Sequence, residues 1–366
     1  MPNDYHTNAQ IECTRHLREL LHELPEICSD YFMSIEQLTS PLTRLSYAYD
    51  LKLFFQYLSD EVPKFGGKSP EDFTIEDIRQ VTKRDLERYA RYLTFYVKNE
   101  TLEDGEHVSR EITNHEFGIK RKYASLRAFY KYLFTEGLIE NNVSLLVPLP
   151  KLHERAIIHL DVDEVARLLD IAESGQDLPK TYKKYHNVTK KRDLAMLSLF
   201  LGTGIRISEC VGLNIDDFDF EQNAFVVTRK GGKEVILYMS DEVADALKDY
   251  LKERLEIETL PGHENAFFLS IQRRRITQRA VENMVKKYAS IAAPLKKKIS
   301  PHKLRSTFGT NLYRETGDIY LVADVLGHSD VNTTRKHYAA MAEDHRRIAA
   351  TKTVLREDPA DKLHQE

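Results

Sequence analysis

The proline-containing stretch NNVSLLVPLPKLHER, residues 141–155, constrains the fold most, because it separates two parts of different character. A chain of 366 residues is too long for one compact core, so two domains are expected. Pro148 and Pro150 favour an extended, semi-rigid connector in this stretch. We therefore predict one domain on each side of it.

The first half has the apolar spacing of helices. Ser40-Pro41 is a good helix start, and apolar residues recur at helical spacing after it. A second helix is predicted to open at Thr82 with the capping pattern TKRD. A third is predicted at about 117–135, ended by Gly137. The basic side chains on its outer face, taken alone, are typical of a solvated helix.

The second half has a mixed pattern. The segments AFVVT and EVILYM flank RKGGK, which predicts a β-hairpin with a Gly-Gly tip. Helices are predicted around it, at 163–173, 191–201, 241–255, 277–291, 301–313 and 319–326. The fold class expected is mainly α with a small β-sheet.

The charges are segregated along the chain. A net charge of -4 and a pI near 6.4 count at first sight against a nucleic-acid-binding protein. However, residues 283–314 contain eight lysines and arginines and no acidic residue, and 179–192 and 272–279 are also basic without acids. Such segregation gives a positive face at negative net charge. The three stretches together favour a polyanionic partner.

Composition excludes several classes of protein. No apolar stretch is long enough to span a membrane, and the N-terminus lacks the apolar core of a secretory signal. Cys13, Cys28 and Cys210 are scattered without CxxC spacing, which argues against a disulfide framework and a zinc site. We expect a cytoplasmic protein without metal, cofactor or membrane partner.

Four short segments contain residues suited to phosphate chemistry. In ISPHKLRST, Ser300 and Pro301 open a helix that is expected to present His302 and Arg305 from its first turns. An imidazole, a guanidinium and a helix N-terminus together would grip a phosphate. Alone, the HxxR pattern is weak and is equally typical of a surface helix start.

The other three segments are also weak when taken singly. In GTGIRISE, Arg206 follows a glycine turn, and Glu209 could orient it. The hairpin tip carries Lys230 and Lys233, and solvated turn lysines are common. In LGHSDVNTTRKHY, the basic surroundings of the tyrosine favour a phenolate or a nearby phosphate.

Together the residues make a consistent set for metal-free phosphoryl transfer through a tyrosine. The phenol attacks the phosphodiester, and two guanidiniums neutralise the developing charge. An imidazole takes the phenolic proton, and an ammonium gives a proton to the departing 5′ oxygen. The candidate catalytic residues are Arg206, Lys230, His302, Arg305, His328 and Tyr338.

The order and the motifs of these residues resemble the tyrosine recombinase (phage integrase) family, and its Xer branch in particular. GTGIRISECVGL, TRKGGKE, HKLR and LGHSDVNTTRKHY are similar to the family's catalytic boxes, and Tyr338 is then the nucleophile. Alignment of KGGKE favours Lys230 over Lys233 as general acid, with the second lysine left open. Two departures are Ser306, where another histidine is often found, and a step from His328 to Tyr338 one residue longer than in many relatives. Tyr313 and Tyr320 are predicted to be core residues.

The resemblance implies a fold and an assembly. It implies a helical, SAM-like core-binding domain at 39–140 and a mixed α+β catalytic domain at 159–345, which together clamp double-stranded DNA. Residues 1–38 would form a helical extension, 141–158 a linker and 346–366 a C-terminal helix or tail. The family works as a homo-tetramer on two DNA sites, through a Holliday junction. A helix at about 341–356 would dock on a neighbouring subunit, and a self-packed tail is the alternative.

Basic residues outside the catalytic set are predicted to contact DNA. They are Lys120, Arg121, Lys122, Arg127, Lys233, Arg273, Arg274, Arg275 and Lys303. Binding by such residues should weaken steeply with salt.

The cellular role leaves alternatives open. Residues 1–38 are too short for the separate arm-site domain of many phage-type integrases, which favours a Xer role in chromosome dimer resolution. A division-linked DNA translocase would then be a partner, by family analogy. An integrase or excisionase of a phage or conjugative element is the alternative. A type IB topoisomerase-like enzyme and a non-catalytic DNA-binding protein are further ones, whereas a metal-dependent nuclease would need clustered carboxylates and histidines that are not evident.

Overall fold

The chain divides into two compact units, Met1–Arg155 and Ala156–Glu366, with the division at the end of the proline-containing stretch. The structure is a computed structural model that describes residues 5–101, 107–151, 158–229, 232–296, 298–327 and 331. It confirms the expected fold class, mainly α with a small β-sheet. The finer boundaries, at 1–38, 39–140 and 346–366, stay predictions.

The first unit is built from helices and one two-stranded sheet. Its described elements are α1 (Tyr5–Leu21), α2 (Glu26–Ser34), α3 (Pro41–Glu61), α4 (Ile75–Arg79), α5 (Lys83–Tyr92), β1 (Phe95–Thr101), β2 (His107–Thr113) and α6 (Glu116–Thr135). Both predicted helix starts are confirmed. The Ser40 hydroxyl accepts from the backbone N–H of Thr43, and Thr82 forms a capping box with Asp85.

An aromatic core holds these helices together. Tyr89 on α5, with Tyr123 and Tyr130 on α6, is buried against Phe54 of α3 and its neighbours, as the helical spacing predicts. The hydroxyl of Tyr123 donates to the backbone carbonyl of Leu86, 2.6 Å away, so this polar group is satisfied inside the core. Leucines of α1 belong to the same hydrophobic cluster, so the N-terminal segment packs within the first unit.

The hairpin β1–β2 was not predicted. The strands pair antiparallel from Phe95 opposite Thr113 to Thr101 opposite His107. Their sequences contain many charged residues, and Phe95 and Val97 point away from the core, with 52% and 47% exposure. Tyr96 is buried in the core and its cross-strand partner Ile112 packs against that core, but one such pair among charged residues is too little for period-two alternation to stand out from a polar connection.

The second unit is mainly helical, with a three-stranded antiparallel sheet. Its described elements are α7 (Val162–Ser174), α8 (Lys180–Thr203), α9 (Ile207–Gly212), β3 (Phe218–Asp219), β4 (Ala224–Thr228), β5 (Glu234–Tyr238), α10 (Asp241–Leu255), α11 (Gln278–Ala292), α12 (Pro301–Thr316) and α13 (Ile319–Leu326). The sheet order is β3-β4-β5, and Thr228 pairs with Glu234. The predicted hairpin of β4 and β5 is therefore confirmed.

Helix α8 differs most from its prediction. It begins at Lys180 rather than Lys191, so the basic stretch 179–192 is helical. His186 and Thr189 are buried on one side of this added segment, while the lysines lie mainly on the exposed side. The high density of lysine masked an amphipathic pattern that contains few apolar residues.

One predicted core residue lies on the surface. Tyr313 of α12 is buried, as expected, but Tyr320 of α13 is 71% exposed. Helix α13 has only two turns, and Val322, Ala323 and Leu326 occupy its buried side, which leaves Tyr320 facing solvent. Among the described residues, no helix combines the length and apolar character needed to cross a membrane.

Candidate active site and DNA-contact residues

Arg206 lies at a glycine corner between two helices. Helix α8 ends at Gly204, which has a positive φ of 64°, and Arg206 is the N-cap of α9. Glu209 holds it at both ends: the backbone N–H of Arg206 donates to Oε2 at 2.9 Å, and Nη1 donates to Oε1 at 2.6 Å. The expectation that Glu209 orients Arg206 is thus confirmed. The arginine side chain keeps 35% of its surface exposed.

The corner itself packs tightly against the last two described helices. A Cβ atom at Gly204 would lie 2.4 Å from Cδ1 of Phe308 on α12 and 2.9 Å from Cδ2 of Leu326 on α13. A side chain at residue 204 would therefore separate α8 from both helices, in addition to straining the backbone. Glycine at this position lets Arg206 approach α12 and α13.

Arg305 lies in the second turn of α12 and is only 6% exposed. Its Nη1 donates to the carbonyl of Gly204 at 2.5 Å, and its Nη2 donates to the carbonyl of Leu326. Nη2 of Arg206 donates to the same Leu326 carbonyl at 3.2 Å and to that of Gly327 at 2.9 Å. The two guanidiniums, 99 positions apart in sequence, therefore reach a common oxygen atom.

A third arginine contacts the same helix end, and it was not predicted. Arg229 directly follows β4, and its Nη2 donates to the carbonyl of Val325 at 2.8 Å. We call Arg206, Arg229 and Arg305, with the carbonyls of residues 325–327, the arginine centre. These carbonyls form the negative end of the α13 dipole, which favours cations there. The sequence signal for Arg229 was its place just before the hairpin lysine.

His302 lies in the first turn of α12, three residues before Arg305. Its side chain is exposed, in contrast to the buried Arg305. Pro301 occupies the first helical position as predicted, while the side chain of Ser300, the N-cap residue, forms no capping hydrogen bond. His302 can therefore be approached from solvent.

Three of the six catalytic candidates lie outside the described residues, namely Lys230, His328 and Tyr338. The residues next to two of them are described. Arg229, which precedes Lys230, and Gly327, which precedes His328, both belong to the arginine centre. The roles of all six candidates stay predictions.

The basic face of α6 contacts a buried carboxylate. Asp50 on α3 is 3% exposed and accepts two hydrogen bonds from Arg121, at 2.6 and 2.7 Å. Lys122 lies 3.4 Å from it, and the Ser125 hydroxyl donates to it at 2.6 Å. Burial lowers the pKa of Lys122, and the charge of Asp50 opposes that shift. We call these four residues the Asp50 cluster.

Two other predicted DNA contacts hold backbone carbonyls. Arg127 on α6 donates to the carbonyl of Val147 at 2.9 Å and to that of Ser144 at 3.4 Å. Arg275 donates to the last carbonyls of α9 and the next residue, 211–213, at 2.8 to 2.9 Å. Because α9 begins at Arg206, Arg275 stabilises the helix that carries this arginine. No local pattern in the sequence indicated these structural contacts.

The remaining candidates lie at accessible positions. Lys233, Arg273 and Arg274 are exposed, and Lys120 and Lys303 are half-buried. Arg273 has a positive φ of 61° and lies 3.8 Å from Glu258, at the surface.

Comparison with known proteins identifies the family. The model of the phage integrase family matches residues 159–345. Tyrosine recombinase XerC of Caldanaerobacter subterraneus subsp. tengcongensis is 34% identical over 338 residues, covering 90% of this chain and 86% of that protein. Tyrosine recombinase XerS of Lactococcus lactis subsp. cremoris is 29% identical over 345 residues, covering 87% of this chain and 93% of that protein.

A solved structure shares the fold. The XerH site-specific recombinase, in a post-cleavage complex with a palindromic difH substrate, aligns with a TM-score of 0.63 at 19% identity, covering 93% of this chain and 94% of that one. These matches do not favour a type IB topoisomerase or a non-catalytic DNA-binding protein. The family match over half of the chain and the XerC relative together show that this chain belongs to the phage integrase family of tyrosine recombinases, enzymes that cleave and rejoin DNA, and that it is a Xer-like site-specific recombinase.

Proposed function

We propose that this recombinase joins two double-stranded DNA sites through a covalent 3′-phosphotyrosine bond to Tyr338, in chromosome dimer resolution. The observation that carries the proposal is the shared acceptor of Arg206 and Arg305, the carbonyl of Leu326. The guanidiniums of Arg206, at the start of α9, and of Arg305, on α12, therefore reach one oxygen atom from two different helices. The scissile phosphate offers such oxygens with more negative charge.

The electrostatics of the arginine centre support phosphate binding. The carbonyls of Gly204 and Leu326 hold Arg305 through neutral oxygens, so these bonds do not neutralise its charge. Glu209 pairs with Arg206 but is itself 3% exposed and fixed by the α9 backbone, so it orients the guanidinium. Preorganised donors in a partly buried site stabilise the charge that develops on phosphoryl oxygens in the transition state.

The reaction assigns a role to each remaining candidate. The Tyr338 oxygen forms a bond to phosphorus, and the bond from phosphorus to the 5′ oxygen breaks. One of His302 and His328 takes the phenolic proton, and Lys230 protonates the departing 5′ oxygen. The phosphotyrosine bond keeps the energy of the broken linkage, so a second strand can reseal it without ATP or a metal ion.

The assembly and the DNA contacts belong to the same proposal. A homo-tetramer would hold two sites and exchange strands through a Holliday junction, with a division-linked DNA translocase as activator. The proposed DNA contacts at accessible positions are Lys120, Lys233, Arg273, Arg274 and Lys303. Arg121 and Lys122 already meet the buried carboxylate of Asp50, which competes with phosphate for the same donors. Arg127 and Arg275 donate to neutral backbone carbonyls, which leave their charge in place, and stay proposed DNA contacts.

Capture of the covalent intermediate tests the proposal. The full chain is incubated with fragmented DNA of the source organism, denatured, and the DNA that stays attached is sequenced. We expect wild type to retain DNA on a peptide containing Tyr338, and Tyr338→Phe to bind DNA but retain none after denaturation. Equal retention by both proteins would exclude Tyr338 as the nucleophile. Trapping at one chromosomal site supports dimer resolution, whereas trapping at the ends of a mobile element contradicts it.

A further inference from the structure

Arg229 connects two segments that lead directly to catalytic candidates. Its backbone N–H donates to the carbonyl of Lys233 at 2.8 Å, and its carbonyl accepts from Gly232 at 3.1 Å. It is therefore fixed at the base of the hairpin turn that contains Lys230. Its side chain leaves the hairpin and donates to Val325, at the end of α13. One residue thus joins the hairpin to the end of this helix.

Gly327 fits the guanidinium of Arg229 closely. A Cβ atom at Gly327 would lie 2.1 Å from Nη1 and 2.5 Å from Cζ of Arg229, so any larger residue would displace the guanidinium. Gly327 also has a positive φ of 61°, which ends α13 and turns the chain towards residue 328. The Arg229 contact therefore lies at the turn from which the chain continues to His328.

The hydrogen bonding of Arg229 is incomplete within the described residues. Its Nε is buried and has no hydrogen-bond partner among them. A buried donor without a partner costs free energy, and a smaller apolar side chain would avoid that cost. The contacts with Val325 and Gly327 offer a reason for an arginine here, because its length and its terminal donors span the gap between hairpin and helix.

Each of the three arginines donates to one or two of the carbonyls at the C-terminal end of α13. Arg229 takes the carbonyl of Val325, Arg305 takes that of Leu326, and Arg206 takes those of Leu326 and Gly327. Loss of the Val325 contact frees the hairpin from the helix while both other arginines keep their acceptors. The hairpin and its lysine would then no longer be held in a fixed position relative to Arg206 and Arg305.

We propose that Arg229 is a positioning residue for recombination, which places the general acid Lys230 against the arginine centre by tying the hairpin to Val325 and Gly327. This inference rests on the proposed function. Arg229 acts through the lysine that follows it, and needs no contact with DNA. It predicts a defect confined to protonation of the leaving group.

Leaving-group chemistry separates this role from a general structural one. In normal DNA the 5′ oxygen departs with a proton from the acid. If sulfur replaces that bridging oxygen, the thiolate leaves without a proton, so a misplaced acid no longer matters. The probes are two versions of the DNA duplex trapped by wild type, with oxygen or sulfur at the scissile 5′ position.

The variant Arg229→Met keeps the apolar stem and removes the donors. We expect it to form the phosphotyrosine adduct on the oxygen duplex roughly 10- to 100-fold more slowly than wild type, and within about threefold of wild type on the sulfur duplex. Lys230→Ala should behave in the same way, and Arg305→Ala should be slow on both duplexes. Arg229→Lys should recover part of the rate on the oxygen duplex.

Two results would overturn the inference. One is a normal rate of Arg229→Met on the oxygen duplex, and the other is an equal loss on both duplexes in a folded protein. If Arg229→Met does not fold, Arg229→Leu removes the same donors and must give the same rescue by sulfur. A wild type that retains no DNA in the trapping experiment would refute the proposed function itself, which distinguishes that failure from this one.

Discussion

The Asp50 cluster and the arginine centre both contain arginine side chains, but these side chains meet different kinds of acceptor in the two regions. In the Asp50 cluster, Arg121 and Lys122 meet a buried carboxylate, and their charges are partly neutralised. In the arginine centre, Arg305 is buried, whereas the side chain of Arg121 is 53% exposed, and Arg305 donates to the carbonyls of Gly204 and Leu326. A carbonyl holds a guanidinium in place without cancelling its charge. Unlike those of Arg121, the acceptors of Arg305 therefore leave its charge available for phosphate.

The largest expected effect is on catalysis, at Arg305. Substitution by alanine removes the guanidinium that we propose to stabilise the phosphoryl oxygens, and should slow formation of the adduct by about 10²- to 10³-fold. Single-turnover assays on the trapped duplex measure this rate, with DNA binding checked separately by gel shift. A loss of less than tenfold in a folded variant would contradict the role of the arginine centre.

The Asp50 cluster should instead respond in stability. Asp50→Ala leaves the cation of the largely buried Lys122 without its carboxylate, and should lower the free energy of unfolding by roughly 2–3 kcal/mol. Urea unfolding measures this. The control is Asp60→Ala on the same helix, where an exposed carboxylate accepts from the side-chain amide of Gln56, with an expected change of about 0.5 kcal/mol or less. If Asp50→Ala slowed adduct formation and left the free energy of unfolding unchanged, the claim that the Asp50 cluster acts on stability would be contradicted.

A second buried carboxylate, that of Asp193, lies in the same unit as the arginine centre, and its contribution to stability can be tested by changing the pH. Burial alone would raise the pKa of Asp193, but Arg192 and Lys287 outweigh this effect and hold it below the usual value. The resulting stability is present above the unfolded pKa of about 3.9 and is lost as pH falls through the lower, folded value. Stability of wild type should therefore fall below about pH 4, and Asp193→Asn should weaken this dependence. Identical pH profiles in acid urea titrations would contradict it.

The smallest expected effect is on salt dependence. Lys120→Ala should reduce the slope of log affinity against log salt by about one, because one phosphate contact is lost. Arg121→Gln, on the next position of α6, should change this slope less, because Asp50 already holds the guanidinium. Binding titrations at several salt concentrations compare the two variants. A larger change for Arg121 would show that the buried carboxylate does not keep it from DNA.

The sequence predicted the parts of the fold that depend on local signals. The capping pattern at Thr82 and the Ser40-Pro41 start gave correct helix beginnings, because caps involve neighbouring residues. The hairpin of β4 and β5 was predicted from the strand-forming segments AFVVT and EVILYM and from the Gly-Gly tip between them. The hairpin of β1 and β2 was missed because its buried face consists of little more than Tyr96 and Ile112, while Phe95 and Val97 lie on the exposed side.

In the candidate site, too, a contact between neighbouring residues was predicted, and contacts between distant segments were not. The pairing of Arg206 with Glu209 spans three residues and was expected from sequence. The shared acceptor of Arg206 and Arg305, the contact of Arg229 with Val325 and the hold of Arg275 on α9 join segments 60 or more residues apart. No local pattern specifies such contacts, since they exist only after the helices have packed. The resemblance to a family predicted roles for Arg206 and Arg305. The contacts of Arg229 and Arg275 could be found only in the folded structure.

The central claim is that the guanidinium of Arg305 acts on the charge of the scissile phosphate. The direct measurement replaces one non-bridging oxygen of that phosphate by a methyl group, which removes the negative charge, and compares wild type with Arg305→Ala on both substrates. We expect the large deficit of the variant on phosphate to shrink to within about tenfold on the neutral substrate, because no charge remains to be stabilised. A deficit of the same size on both substrates would contradict it and leave Arg305 with a structural role only.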